Sequence, residues 1–187
     1  KEAPPPRASL LVVGAGLAGI CVAKKYAESA DLCSLVVVDR AGTVGGVWSS
    51  FGNSLSRVNS SEPSYRLSAS SLSRSNHSCF HEVIGDALTA VRESGIGDRI
   101  FLLSTALSCC PKRERTHVSL RHGAKRERRG VLTRVAVFCC NRRLGAPRVL
   151  EVEGEEKFGG TLRRGLYDDV RKEEVDRRRV CVMGMGA

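Results

Sequence analysis

Three glycines at fixed spacing, Gly14, Gly16 and Gly19, and a carboxylate about twenty residues further on, Asp39, are the residues whose types and order point most directly to chemistry. A glycine at the first position lets the chain turn sharply out of a strand. A missing side chain at the second lets backbone N–H groups approach a pyrophosphate. The third lets helix and strand pack closely, and the helix N-terminus then offers partial positive charge to the phosphates. Asp39 stands where a carboxylate accepts hydrogen bonds from ribose hydroxyls. The chemistry that needs this set is the holding of a dinucleotide.

The flanking elements must then be strand, helix and strand. Leu10-Leu11-Val12-Val13 is a short apolar run ahead of the glycines. From Leu17 to about Ala30 the residues Leu17, Ile20, Cys21, Ala23 and Ala27 recur at helical spacing. Leu35-Val36-Val37-Val38 is a second β-branched run, closed by Asp39. A lone glycine pattern is weak, but here all five parts occur in order.

The residues after Asp39 narrow the ligand. Asp39-Arg40-Ala41-Gly42-Thr43-Val44-Gly45-Gly46-Val47-Trp48 brings a second glycine pair shortly after the acid. A simple NAD dehydrogenase has no need of that second loop, whereas a longer, resident dinucleotide does. The run resembles the acid-x5-GGxW signature of FAD-binding enzymes of the flavin-containing monooxygenase and Baeyer–Villiger group. The resemblance implies an α/β fold: a Rossmann-like FAD-binding βαβ unit with a small antiparallel β segment added, the first portion of a flavoprotein with two dinucleotide-binding domains.

Site residues follow from that resemblance. It assigns the FAD pyrophosphate to Gly14, Ala15, Gly16, Ala18 and Gly19, ribose to Asp39, the adenine end to Arg40, and the second loop to Gly45, Gly46, Val47 and Trp48. In Ser54-Leu55-Ser56-Arg57-Val58-Asn59 it places Asn59 near the flavin ring, as the residue nearest the chemistry. In the family a strand ending Thr-x-Val passes adenine; Thr105-Ala106-Leu107 implies a main-chain contact at Leu107. The family's F-x-G-x-x-x-H pattern is half matched: Phe158 and Gly160 agree, Arg164 stands in place of the His, and Tyr167 comes one residue early. Near the end, Arg179-Val180-Cys181-Val182-Met183 reads as a strand leading into Gly184-Met185-Gly186-Ala187, which resembles the opening of the family's NADPH-binding turn through Gly184 and Gly186. The expected organisation is a linker or cut end over 1–8, the FAD-binding portion over 9–178, and the start of an NADPH domain over 179–187. A chain of that extent is not expected to turn over NADPH even where it binds FAD.

Composition sets the outer limits. With 187 residues and 42% hydrophobic content the chain holds one ordinary domain. No apolar run reaches the length of a membrane span, and Lys1–Arg7 has no signal-peptide core. The eight cysteines include no CxxC pair, which argues against zinc, a disulfide framework and a thioredoxin-like centre. Several fall in apolar patterns and are expected to be small core residues in a reducing, cytoplasmic compartment. The four histidines have no metal-ligand or triad spacing and are expected to be exposed. No metal ligand is expected.

A net charge of +10 raises a nucleic-acid reading. Aromatics are sparse at 5%, there is no nucleic-acid motif, and Lys125-Arg126-Glu127-Arg128-Arg129-Gly130 between strand-like segments reads as a solvated hairpin tip. These features weigh against nucleic acid.

Further elements are a helix from Phe80 to about Ser94 stopped by Gly95 and Gly97, one buried strand over Arg99–Leu107, and paired strands at Thr116–Arg121 and Val131–Cys139. Ser49–Ser78 is a long polar connection. The function implied is an FAD- and NADPH-dependent monooxygenase that uses O2, through a flavin hydroperoxide, to oxygenate a soft nitrogen or sulfur nucleophile of small-molecule size. The rival readings are another two-dinucleotide flavoenzyme, of Baeyer–Villiger or disulfide-reductase type, and a non-enzymatic basic binding module.

Overall fold

Four residues in succession, Leu35–Val38, have no exposed surface at all. That is how a strand buried on both faces reads, as an unbroken apolar run rather than an alternation. Each such side chain contributes on the order of 1.5–3 kcal/mol by leaving water. The computed structural model describes residues 3–59, 66–67, 77–140, 151–163 and 170–183.

The strands are β1 (Arg7–Val13), β2 (Leu35–Val38), β3 (Ile100–Phe101), β4 (Ser104–Lys112), β5 (Arg115–His122) and β6 (Glu127–Phe138). They form one sheet in the order β3-β2-β1-β6-β5-β4. The helices are α1 (Leu17–Ala27), α2 (Val47–Phe51), α3 (Phe80–Glu93) and α4 (Lys172–Val175). β3, β2, β1 and the second part of β6 run parallel, with Leu10 opposite Leu35 on one side and Val135 on the other. β4, β5 and the first part of β6 form an antiparallel arm.

The parallel strands are covered on both faces. On one, Leu10, Val12 and Val37 pack with Ile20 and Ala23 of α1 and Ala87 and Ala90 of α3. On the other, Leu11, Val13, Val36 and Val38 meet Val118, Leu120 and Val131 of the arm. The arm is thus the second cover of the parallel strands. α3 begins with a capping box: Glu82 accepts the backbone N–H of Cys79, as an acid three residues past the cap should. It ends at left-handed Gly95.

Several expectations change. The strand expected over Arg99–Leu107 is two strands. Leu103 between them takes φ +53°, its N–H bonds to Ala41 O, and the chain turns there from parallel to antiparallel pairing. α1 stops at Ala27, and a 3-10 turn at Leu32–Ser34 capped by Asp31 leads into β2. Arg179–Met183 forms no strand: Val180, Val182 and Met183 are exposed and no described strand pairs with them. A strand without a ladder partner leaves its backbone to water, so the apolar pattern alone does not make one.

The cysteines are also not core. All eight are free; Cys79 and Cys139 are half-buried and the other six exposed. Cys21 lies on the solvent stripe of α1, and Cys109 and Cys110 lie on the edge strand β4, where alternation does not decide burial. Two histidines are half-buried rather than exposed: His122 Nδ1 lies 2.7 Å from the buried Ser104 Oγ, and His117 lies over Gly130. Among the described residues no helix is long and apolar enough to cross a membrane, and no group of His, Cys, Asp or Glu is placed to hold a metal ion.

Candidate functional site

The site is built where β1 ends. Gly14 has φ +112°, a conformation that side chains rarely adopt, and a Cβ there would stand 2.5 Å from Cys139 O. A Cβ on Gly19 would stand 1.8 Å from Gly14 O, so α1 approaches the turn as closely as backbone allows. Gly16 is different: its φ of −72° suits any residue, and a Cβ would meet only Gly46 Cα at 3.5 Å. Nothing in the chain itself demands a glycine at that position.

Gly16 is also the N-cap of α1, and it makes no side-chain cap hydrogen bond; the first turn holds no acidic residue. Helix N-termini are usually closed by Ser, Thr, Asp or Asn, which satisfy N–H groups that have no partner within the helix. Here those donors, with the positive end of the helix dipole, are left to an acceptor from outside the helix. Ala18 in the first turn is exposed.

Asp39, half-buried at the end of β2, holds this turn in place. Its Oδ2 accepts the N–H of Ala15 at 2.6 Å and its Oδ1 accepts that of Ala41 at 2.8 Å. Ala15 is fully buried, and its carbonyl accepts the N–H of Gly45 at 2.9 Å. Ala15 is therefore a strut between Asp39 and the second glycine loop. A carboxylate has about four acceptor positions, so two remain beyond these backbone contacts.

The two glycine loops touch. Gly46 has φ +60°, and a Cβ on it would lie 2.9 Å from Gly16 Cα. Gly45, at φ +107°, packs against Ser49 of α2, whose Oγ donates to Gly46 O at 3.0 Å. Val47 is exposed and Trp48 half-buried, both on α2. Arg40 is exposed beside Asp39.

Other expected site residues stand apart. Asn59 is exposed, next to Val58, whose N–H bonds to Ser78 O at the foot of α3. No hydrogen bond among the described residues joins Asn59 to the glycine turn. Leu107 occupies an irregularity of β4 between Ala106 and Ser108 and lines a hollow of the arm. Phe158 is exposed, with its ring folded over Gly160. Gly184, Gly186, Arg164 and Tyr167 lie outside the described residues.

Sequence reasoning missed two contributors. The Ala41 N–H fixes the second oxygen of Asp39, an ordinary consequence of the chain turning just after the acid. Cys139 sits over the glycine turn, its N–H donated to Val13 O at 2.8 Å. The register Val13 opposite Phe138 puts the residue just after β6 there, and no pattern in the sequence gives that register. Burial, and then Cys140 and Cys21 nearby, push the Cys139 thiol above its ordinary range.

Comparison with known proteins agrees with this geometry. Residues 12–80 match the family model described as an NAD(P)-binding Rossmann-like domain. No curated protein sequence matches the chain. Among solved structures, a cyclohexanone monooxygenase variant from Rhodococcus sp. Phi1 bound to NADP+ has TM-score 0.66 and 19% identity, over 83% of this chain and 30% of that one. Polycyclic ketone monooxygenase from the fungus Thermothelomyces thermophila has TM-score 0.62 and 16% identity, over 74% of this chain and 24% of its own. Bacillithiol disulfide reductase from Staphylococcus aureus has TM-score 0.66 and 10% identity, over 80% of this chain and 43% of its own. The match thus spans about a quarter to two fifths of the length of these structures. The fold is a Rossmann-like α/β fold shared with these monooxygenase and reductase structures, and it carries the antiparallel segment that the sequence reading expected.

Proposed function

We propose that the chain carries the FAD-binding portion of an NADPH-dependent flavin monooxygenase. The observation that carries this reading is the uncapped N-terminus of α1, set under a glycine turn that Asp39 holds open at the end of β2. When bound, FAD supplies the redox and oxygen chemistry. The chain's own residues bind and orient it. Backbone N–H groups of the first turn of α1 face the pyrophosphate, and Gly16 leaves room for its close approach. Asp39 keeps acceptor positions for ribose, while Gly45 and Gly46 close a second stretch of backbone over the site.

Within this class, the partial match at Phe158 and Gly160 supports oxygenation of a soft nitrogen or sulfur nucleophile. A second reading, Baeyer–Villiger oxygenation of a ketone, is favoured by the cyclohexanone and polycyclic ketone monooxygenases among the similar structures. The reductase reading lacks a Cys-x-x-Cys pair.

The test is titration of FAD into the chain and into its Gly16→Ala variant, followed by the absorption of bound flavin. The added methyl meets Gly46 Cα at an ordinary contact distance, so the fold is expected to persist by circular dichroism while FAD binding is lost. Absence of flavin binding by the unaltered chain, or equal affinity in the variant, overturns the assignment.

A further inference from the structure

Alternation along the arm sorts its side chains between two faces. Val118, Leu120 and Val131 point inward and are fully buried against the parallel strands. Arg115, His117, Ser119 and Arg121 of β5 therefore point outward. The register places Lys112 opposite Arg115 and Arg121 opposite Arg128, each pair on that outer face. Charged residues scattered in the sequence are brought together by strand pairing.

Directly opposed like charges in an antiparallel pair, about 5 Å apart at Cβ, destabilise a sheet. The arm has two such pairs and no acidic residue on its outer strand positions to offset them. Glu127, exposed and opposite His122 in the register, pairs with Arg129, while Glu114 lies in the tip turn. Among the described residues Lys112, Arg115, Arg121 and Arg128 make no ion pair. The two pairs are about 20 Å apart along β5. Beside the Arg121–Arg128 pair an open hollow of about 380 Å³ is lined by Ser108, His117, Ser119 and the bare Gly130, with Arg128 and Arg129 at its edge and Leu107 and Leu120 at its floor.

Against the expectation from composition, and because the register gathers charges that the sequence leaves scattered, we propose that this outer face is a track for the phosphodiester backbone of a single-stranded nucleic acid, with phosphates seated at the Lys112–Arg115 and Arg121–Arg128 pairs. Arginine, lysine, serine and histidine side chains and exposed backbone are the groups that meet phosphates in such complexes. Outward side chains recur every 6–7 Å or so along a strand, and the face is a narrow strip rather than a broad plate. That shape suits a linear polyanion better than a membrane surface, and no aromatic side chain stands on it to anchor at a lipid interface. The same lack of aromatics removes base stacking, so the contact reads phosphates and not sequence. This inference is independent of the flavin reading, which concerns the other end of the sheet.

The experiment is anisotropy of a short labelled oligothymidylate with the 187-residue chain over about 50–200 mM salt. Four phosphate contacts predict a log–log salt slope of about −3, and Arg121→Gln with Arg128→Gln should roughly halve it. Arg121→Glu gives the sharper test. It places an acid opposite Arg128, so it should raise the melting temperature while weakening oligonucleotide binding further than Arg121→Gln. Binding unchanged by these variants, a slope near zero, or no binding at 50 mM salt overturns the proposal. So does association with phosphatidylserine-containing vesicles in place of the oligonucleotide, or a fall in melting temperature in Arg121→Glu that accompanies the loss of binding.

Discussion

Glycines in the two halves of the sheet are backed by different things. In the parallel half a side chain at Gly14, Gly19 or Gly46 would run into main chain: Cys139 O, Gly14 O and Gly16 Cα respectively. In the arm, a side chain at Gly130 would meet only the ring of His117, and one at Gly123 would meet nothing, although its φ of +71° favours glycine. Backbone cannot step aside without moving a strand, whereas an imidazole can rotate. The parallel half is therefore set with no slack at these three glycines, and the arm that covers it adapts through its side chains. The proposed pyrophosphate site fits the first kind of packing, and the proposed track for a flexible polymer fits the second.

The sharpest way to break this comparison is Gly19→Ala. One methyl group is asked to share space with Gly14 O, so α1 must lift from the turn. The expected cost is about 3 kcal/mol, the upper part of the range for overpacking, with loss of FAD binding alongside. Urea unfolding measures it. A melting curve like that of the unaltered chain would show that the close approach of α1 to the turn is not required.

Asp39 comes next, because its carboxylate holds the turn and, in the reading we propose, also the ribose. Asp39→Ala strands the N–H groups of Ala15 and Ala41 and removes the ribose acceptor. FAD affinity is expected to fall by about tenfold to a hundredfold, from 1.5–3 kcal/mol for hydrogen bonds to a charged group. Asp39→Asn keeps one acceptor oxygen, so it can hold Ala15 or Ala41 but not both, and should lose less. Isothermal titration with thermal melting separates the two roles. Unchanged affinity together with lowered stability would leave Asp39 as a strut only.

How much of this was legible beforehand follows the same division. The glycine turn, the buried run Leu35–Val38, the helix at Phe80 and the hairpin of β5 and β6 rest on local rules: glycine conformations, periodicity and turn chemistry. The break at Leu103 rests on a bond to Ala41, far along the chain, and local propensity is silent about it. The exposure of Cys109 and Cys110 depends on β4 being an edge strand, which is a property of the strand order. The facing of Arg121 and Arg128 needs the register, since in the sequence Arg128 belongs to what reads as a hairpin tip. Within the site, Asp39 was legible as an acid at the end of β2. Its two backbone partners were not, because they depend on where Ala15 and the turn after Asp39 meet.

A smaller effect tests the contact between the two halves at Cys139, where the end of β6 crosses the glycine turn. Its thiol is held above the ordinary range, chiefly by burial. The unfolded chain then loses this proton at lower pH than the folded one, so the thiol favours the fold below its ordinary pKa. That contribution is lost as pH rises from there through the raised folded value. Iodoacetamide labelling followed residue by residue should find Cys139 slower than Cys140 at mildly alkaline pH, with the gap closing as pH increases. Equal rates throughout would mean that the crossing is open to water.

The smallest expected effect is at Gly130, and it tests the yielding side of the comparison. An added Cβ would stand 2.5 Å from His117 Nε2, a distance as forbidding as that at Gly14. The atom it meets is the far end of a side chain that is only half-buried, so a change of rotamer clears it. Moving the ring off a preferred rotamer costs about 0.5–1.5 kcal/mol at most, and replacing a strand glycine returns about 0.5–1 kcal/mol of backbone entropy. The two nearly cancel, and Gly130→Ala should melt within a few degrees of the unaltered chain. The displaced ring also fills the hollow beside Ser119, so oligonucleotide affinity should fall modestly while FAD affinity stays unchanged. A loss of stability as large as that of Gly19→Ala would show that His117 is locked in place, and that the arm is as rigid as the half it covers.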